Sequence, residues 1–281
     1  MSKPTLLVRG LGIPESPRWH EGRLWFCNWI DRQVVAVDLD GRQEVMATQE
    51  GRPMGYSIDW LPDGRLLMTG DRLRRQEPDG SMVTVVEQHA NEIVVDGRGN
   101  IYLNGADFDF AGGEAPEPGW IRLVTPDGDV RQVADDIQFP NGMAVTPDNR
   151  TLIISESFAG RLTAFDIDAD GGLSHRRVFA DGLGPDGICL DVEGSVWVST
   201  GGFSIVRVAA GGEVQQRVEL PEFRAPFALT LGGPDRRTLF IMTAEWRAAD
   251  GHVANLDRLT NGPRTGEILT LQVSVPGAGR P

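Results

Sequence analysis

PDNRTLIISE, residues 147–156, decides the fold. Pro-Asp-Asn reverses the chain tightly, because Asn and Asp tolerate positive φ. The run behind it is a short β-like segment. The same signal recurs in HEGRLWFCNW (20–29), PDGRLLMTG (62–70), DGRGNIYLNG (96–105), DVEGSVWVST (191–200) and PDRRTLFIMT (234–243). The first apolar residues after these turns are Leu24, Leu66, Ile101, Leu152, Val196 and Leu239, at intervals of 35 to 51 residues. That spacing suits one four-stranded blade per interval.

A second turn follows within most units: LDGRQEVMA (39–47), PDGSMVTVV (78–86), PDGDVRQVA (126–134), DADGGLSHRRVFA (168–180) and AAGGEVQQRVEL (209–220). Each is read as joining a third strand to a fourth. Six such units predict an all-β, six-bladed β-propeller with four antiparallel strands per blade. One unit cannot bury its own faces, and stacking on neighbours supplies the core. The expectation is therefore one domain over residues 1–281. TLLVRGL (5–11) should add the outer strand of the last blade beside GEILTLQVS (266–274) and close the ring. The tail VPGAGRP (275–281) is expected to be loose. ADFDFAGGEAPEPGW (106–120) is rich in Gly and Pro and reads as an insertion, a lid or pocket wall.

Forty per cent hydrophobic residues suffice for a large core. A net charge of −13 argues against nucleic acid or an anionic membrane as partner. Cys27 and Cys189 both fall in expected strands and read as small buried residues. No stretch reaches the ~20 apolar residues of a membrane helix, and the N-terminus lacks a signal-like apolar core. The expectation is a cytoplasmic protein, monomeric or weakly self-associating.

Three tripeptides stand before strands of this pattern: Pro14-Glu15-Ser16, Pro140-Asn141-Gly142 and Pro185-Asp186-Gly187. Aligning the six units puts Glu15, Met54, Asn91, Asn141, Asp186 and Phe227 at one repeat position. In a closed ring these meet near the axis, at one rim. Four are oxygen donors and two are apolar. Facing carboxylates repel and resist desolvation, and a divalent cation would resolve both. Oxygen donors suit a hard ion, Ca²⁺ first, with Mg²⁺ or Mn²⁺ next and Zn²⁺ also open. The competing reading is that these residues only cap strands.

At PESPRW (14–19), FPNGMAVTPDNRTLIISES (139–157) and GPDGICLDVEGSVWV (184–198) the sequence resembles the gluconolactonase/regucalcin (senescence marker protein) family of six-bladed propellers. The resemblance spans nearly the whole chain. It implies one divalent metal held by Glu15, Asn141 and Asp186, and hydrolysis of a sugar lactone or related ester. It also makes Asn91 a substrate-facing residue. His89 stands where family members carry an Arg, and Asp109 falls in the lid-like insertion as a substrate contact. Asp186 is the expected general base, with His89 as a substitute. Other hydrolases or lyases on this scaffold, acting on aryl esters or organophosphates, stay open. So does a non-catalytic calcium-binding propeller. There is no G-x-S-x-G and no triad spacing among the four His.

Overall fold

The computed structural model describes residues 3–51, 54–108 and 114–279. Six four-stranded antiparallel sheets follow one another along the chain. Blade I is Pro14–His20, Arg23–Asn28, Gln33–Val37 and Gln43–Thr48. Blade II is Ile58–Trp60, Leu66–Met68, Leu73–Gln76 and Met82–Val86. Blade III is Glu92–Val95, Ile101–Gly105, Gly119–Val124 and Val130–Ile137. Blade IV is Pro140–Val145, Thr151–Glu156, Arg161–Ile167 and Leu173–Ala180. Blade V is Cys189–Leu190, Val196–Ser199, Ser204–Val208 and Val214–Glu219. Blade VI is Arg224–Gly232, Thr238–Glu245, Gly266–Gln272 and the N-terminal Thr5–Leu11, which pairs with Gly266–Gln272 at its outer edge. The molecule is a six-bladed β-propeller closed by its N-terminal strand. The six repeated turn-plus-strand signals are the second strands of the blades.

The core lies between blades, not within them. Trp25, Cys27 and Ala36 of blade I meet Tyr56, Ile58 and Met68 of blade II. Leu67 and Leu73 of blade II meet Ile93 and Leu103 of blade III. At the closure, Val8 and Phe240 of blade VI meet Leu24 and Phe26 of blade I. Each large side chain so buried contributes roughly 1.5–3 kcal/mol, and it does so only when its neighbour is present. Both cysteines are buried and unbridged, and burial pushes both thiols up.

Three features depart from the sequence reading. The tail is docked rather than loose: the Gly277 amide donates to Arg236 O at 2.8 Å, and the Ala278 amide to Leu190 O at 3.0 Å. The insertion ends before Gly119, where a strand begins. A helix, His252–Asn261, interrupts blade VI between its second and third strands. Its buried Asn255 accepts from the Arg247 amide and donates to Arg247 O, each at 2.8 Å, pinning it to the blade.

Strand polarity fixes which loops share a face. Each inner strand starts at one face and the second strand returns to it. The second-to-third connections therefore lie on that face, beside the starts of the inner strands. The insertion after Gly105 and the helix after Glu245 are both such connections. They flank the same mouth of the central channel.

Candidate functional site

The inner strands of blades I, IV and VI carry a register shift at matching places, between Glu15 and Arg18, Pro140 and Met143, and Pro226 and Ala228. A bulge leaves extra backbone in one strand and re-aims its side chains. Pro14, Pro140 and Pro226 each pair just ahead of that shift, opposite Asn28, Glu156 and Thr243. These three units are therefore in register at the aligned position. Ser16 follows Glu15 with φ 49°, a left-handed conformation uncommon outside glycine.

Gly142 and Gly187, which close the other two tripeptides, sit where adjacent inner strands crowd the axis. A Cβ on Gly142 would stand 2.7 Å from Gly187 Cα and 2.8 Å from Asp186 O. One on Gly187 would stand 2.6 Å from Ala228 Cβ. Neither contact can be relieved by a flexible side chain. Gly187→Ala is expected to displace the Asp186 loop and to cost roughly 1–3 kcal/mol of stability. Urea unfolding would measure this, and an unchanged midpoint would contradict the crowding argument.

Three serine hydroxyls hold the Asp186 loop. Ser155 Oγ donates to Asp186 O and Ser157 Oγ to Pro185 O, each at 2.7 Å, while Ser199 Oγ bonds Gly184 O. Asp186 receives a side-chain hydrogen bond from Asn141. Glu15 is 3% exposed and close enough to Asp186 and Glu92 for their charges to act on it. Glu15, Asn141 and Asp186 are thus brought together. Asn91 lies beside the turn before blade II: a Cβ on Gly55 would sit 3.5 Å from Asn91 Oδ1. His89 is held at the root of the insertion, its Nε2 3.3 Å from both Ala106 O and Asp107 Oδ1. Asp109 lies outside the described residues.

Three residues of this neighbourhood have no place in the sequence reading of the site. Glu92, next after Asn91, is buried and accepts from Ser57 Oγ at 2.8 Å. Arg18, three residues after Glu15, points inward. Its guanidinium donates to Ile93 O at 2.8 Å and lies 3.8 Å from Glu92 and 3.9 Å from Asp59. Asn104 is fully buried; its amide donates to Asn141 O at 2.6 Å, and its Oδ1 has no hydrogen-bond partner. One cation thus faces Glu92 and Asp59 and compensates little of the charge on Glu15 and Asp186. Among the described residues no group of three or more His, Cys, Asp or Glu is disposed to hold a metal. The set at this mouth is two carboxylates plus amide oxygens, which matches the hardness of a Ca²⁺-type ion.

The electrostatics follow from burial. Burial first, then the charges of Asp186 and Glu92, hold the Glu15 carboxyl well above the usual range. Burial first, then Glu92, pushes Asp186 up to about 8. Burial raises Glu92 as well, against the opposing pull of Arg18 and the Ser57 hydroxyl. The folded, metal-free protein therefore holds protons that the unfolded chain releases above about pH 4. Where the folded state binds more protons, stability falls as pH rises. The Asp186 contribution is lost between about pH 4 and its folded pKa of about 8. A divalent cation held at this cluster would replace those protons. Saturating cation is expected to raise Tm on the order of 5 °C at pH 8 and by much less at pH 5. Thermal scans across pH, with and without cation, would show it; equal shifts at both pH values would contradict it.

The architecture defines a six-bladed propeller with an acid cluster at one mouth of its channel. Residues 13–245 match the family described as SMP-30/Gluconolactonase/LRE-like region. The chain is 35% identical over 256 residues to regucalcin of Danio rerio, covering 83% of each protein. It is 31% identical over 170 residues to 6-deoxy-6-sulfogluconolactonase of Pseudomonas putida, a match spanning 58% of this chain and 56% of that relative's length. Its fold superposes on a calcium-binding protein, regucalcin, of Agrobacterium tumefaciens with a TM-score of 0.79 and 23% identity, over all of this chain and 96% of the other. The chain belongs to the SMP-30/gluconolactonase/LRE-like family. None of its described helices is long and apolar enough to cross a membrane.

Proposed function

We propose that the protein is a divalent-metal-dependent hydrolase that opens a sugar lactone or a related cyclic ester. The observation that carries this reading is the convergence of Glu15, Asn141 and Asp186, with both carboxyls raised above their usual range, Glu15 by burial and the charges of Asp186 and Glu92, Asp186 by burial and the charge of Glu92. The names of the relatives, a sugar lactonase and calcium-binding regucalcin, support the reaction class and the ion.

Glu15, Asn141 and Asp186 would hold the ion, Ca²⁺ by preference, with Mg²⁺, Mn²⁺ or Zn²⁺ as alternatives. The orphaned Asn104 Oδ1 is a further buried acceptor in want of a positive partner. When bound, a divalent cation supplies Lewis-acid polarisation of the lactone carbonyl.

The chain's own groups do the rest. Glu15, on a stiff proline-flanked bulge, is a ligand. Asn141 is neutral and orients Asp186 through its amide. Asp186 takes the proton of the attacking water as its hydroxyl adds to the acyl carbon. The acyl C–O bond of the ring then breaks, and the ring oxygen leaves as an alcohol carrying that proton. The product is an open hydroxy acid. Asn91, His89 and Asp109 are proposed to contact the substrate. Arg18, buried 3.8 Å from Glu92, offsets part of that carboxylate's charge.

A pH-monitored panel of lactones, aryl esters and phosphotriesters, run with and without cation, tests this. Lactone opening that stops on chelation is the expected result. Turnover confined to phosphotriesters, or tight cation binding with no turnover at all, would overturn it.

A further inference from the structure

The rim around the acid cluster mixes polar and apolar groups. Asn91, Asn141 and Asp186 come from the consecutive blades III to V, while Glu15 of blade I stands between Met54, ahead of blade II, and Phe227 of blade VI. Ile13, two residues before Glu15, packs in one cluster with Met54, Phe227 and Trp246. Phe227 is tied to the site through its backbone, because its carbonyl accepts the Gly187 amide at 2.7 Å. Trp246 meets Phe227 edge-on, with ring centres 6.1 Å apart.

On the other flank Phe139 directly precedes Pro140-Asn141. It stacks on Phe158 at 4.3 Å and 15°. Phe108, at the root of the insertion, lies 6.0 Å from Phe139. Phe158 is 49% exposed although it stands beside the mouth of a channel. Of the eleven phenylalanines, residues 108, 139, 158, 203, 223 and 227 lie in loops or strand starts of this one face. Among the described residues the blade interiors take Phe26, Phe165, Phe179 and Phe240.

This distribution discriminates between lactones. A polyhydroxylated ring needs a donor or acceptor for every hydroxyl it takes out of water. Phenyl rings and a methionine supply none. An alkyl or aryl group set against the same surface gains from each apolar contact it makes.

We infer that this site takes lactones whose ring carries an apolar substituent, with the carbonyl and ring oxygen at the polar residues and the substituent against the Phe139–Phe158 and Met54–Phe227–Trp246 surfaces. The inference rests on the lactonase reading above and narrows its substrate class to the related cyclic esters, away from polyhydroxylated sugar lactones.

The test compares kcat/KM for unsubstituted δ-valerolactone, pentyl-bearing δ-decalactone and polyhydroxylated δ-gluconolactone on the cation-loaded protein. δ-Decalactone is expected to exceed δ-valerolactone by about tenfold or more, since a few methylenes in an apolar pocket are worth that much. δ-Gluconolactone is expected to fall below both. Phe158→Ser changes an exposed side chain and leaves the core untouched. It should cut the δ-decalactone to δ-valerolactone ratio about threefold to tenfold, and Phe227→Ser should cut it further. A preference for δ-gluconolactone, or a ratio that Phe158→Ser leaves unmoved, would overturn the inference and leave the lactonase reading standing. No turnover of any lactone, with or without cation, would overturn both.

Discussion

Asp186→Ala is expected to lower kcat/KM for lactone opening by about 10³-fold or more while the propeller stays folded. A positioned acid–base group contributes roughly 10²–10⁴-fold by itself, and this one is also proposed to ligate the ion. The fold should survive because the loop is held through its backbone. Ser155 and Ser157 bond the carbonyls of Asp186 and Pro185, and the Gly187 amide bonds Phe227 O; the variant loses only the carboxylate's own hydrogen bonds, from Asn141 and the Gly187 amide. Steady-state hydrolysis together with far-ultraviolet circular dichroism separates the two effects. Full activity with a native spectrum would remove Asp186 from the mechanism. Asp186→Asn adds a finer reading, since it keeps the shape and the oxygen but cannot accept the proton.

The second large effect is a pair of opposite signs in one variant. Glu15→Gln removes a buried carboxyl whose ionised form the fold disfavours. The metal-free variant is therefore expected to be more stable than the parent at pH 8, where ionising that group is costly, and closer to it at pH 5. Cation affinity should move the other way and drop about 100-fold or more, because an anionic ligand becomes a neutral one. Thermal scans and titration calorimetry on the same samples would give both numbers. A variant destabilised at pH 8 with unchanged affinity would mean that Glu15 only caps its strand. The structural alternative predicts that outcome, since Glu15 accepts from the Ser16 amide.

The propeller was legible because its second strands announce themselves. Each follows a turn rich in Asp, Asn or Gly, and local turn chemistry does not depend on the rest of the chain. The alignment of Glu15, Asn141 and Phe227 was legible for a related reason: the bulge that aims them recurs in blades I, IV and VI. Arg18, Glu92 and Asn104 were hidden because they belong to no repeat. Arg18 reaches from blade I to the Ile93 carbonyl of blade III, and Asn104 bonds across to blade IV. Such contacts depend on how blades are set around the axis, and a single unit's pattern does not contain that.

The helix at His252–Asn261 was hidden for a different reason. It has only Asn255 and Leu259 buried, so it presents no apolar stripe in the sequence. The docked tail likewise owes its order to backbone bonds with Arg236 and Leu190, which a Gly- and Pro-rich composition does not advertise. Both lie in the last part of the chain, where blade VI must accommodate the ring closure and an excursion over the mouth.

One measurement tests the central claim most directly. The protein is stripped of divalent ions with a chelator, dialysed, and assayed by pH-stat on a lactone it opens while Ca²⁺ is titrated back. The account predicts hydrolysis near the uncatalysed rate in the stripped protein, restored in proportion to one bound ion per chain, with no such restoration in Glu15→Gln at the same Ca²⁺ concentrations. Undiminished turnover by the stripped protein would contradict it.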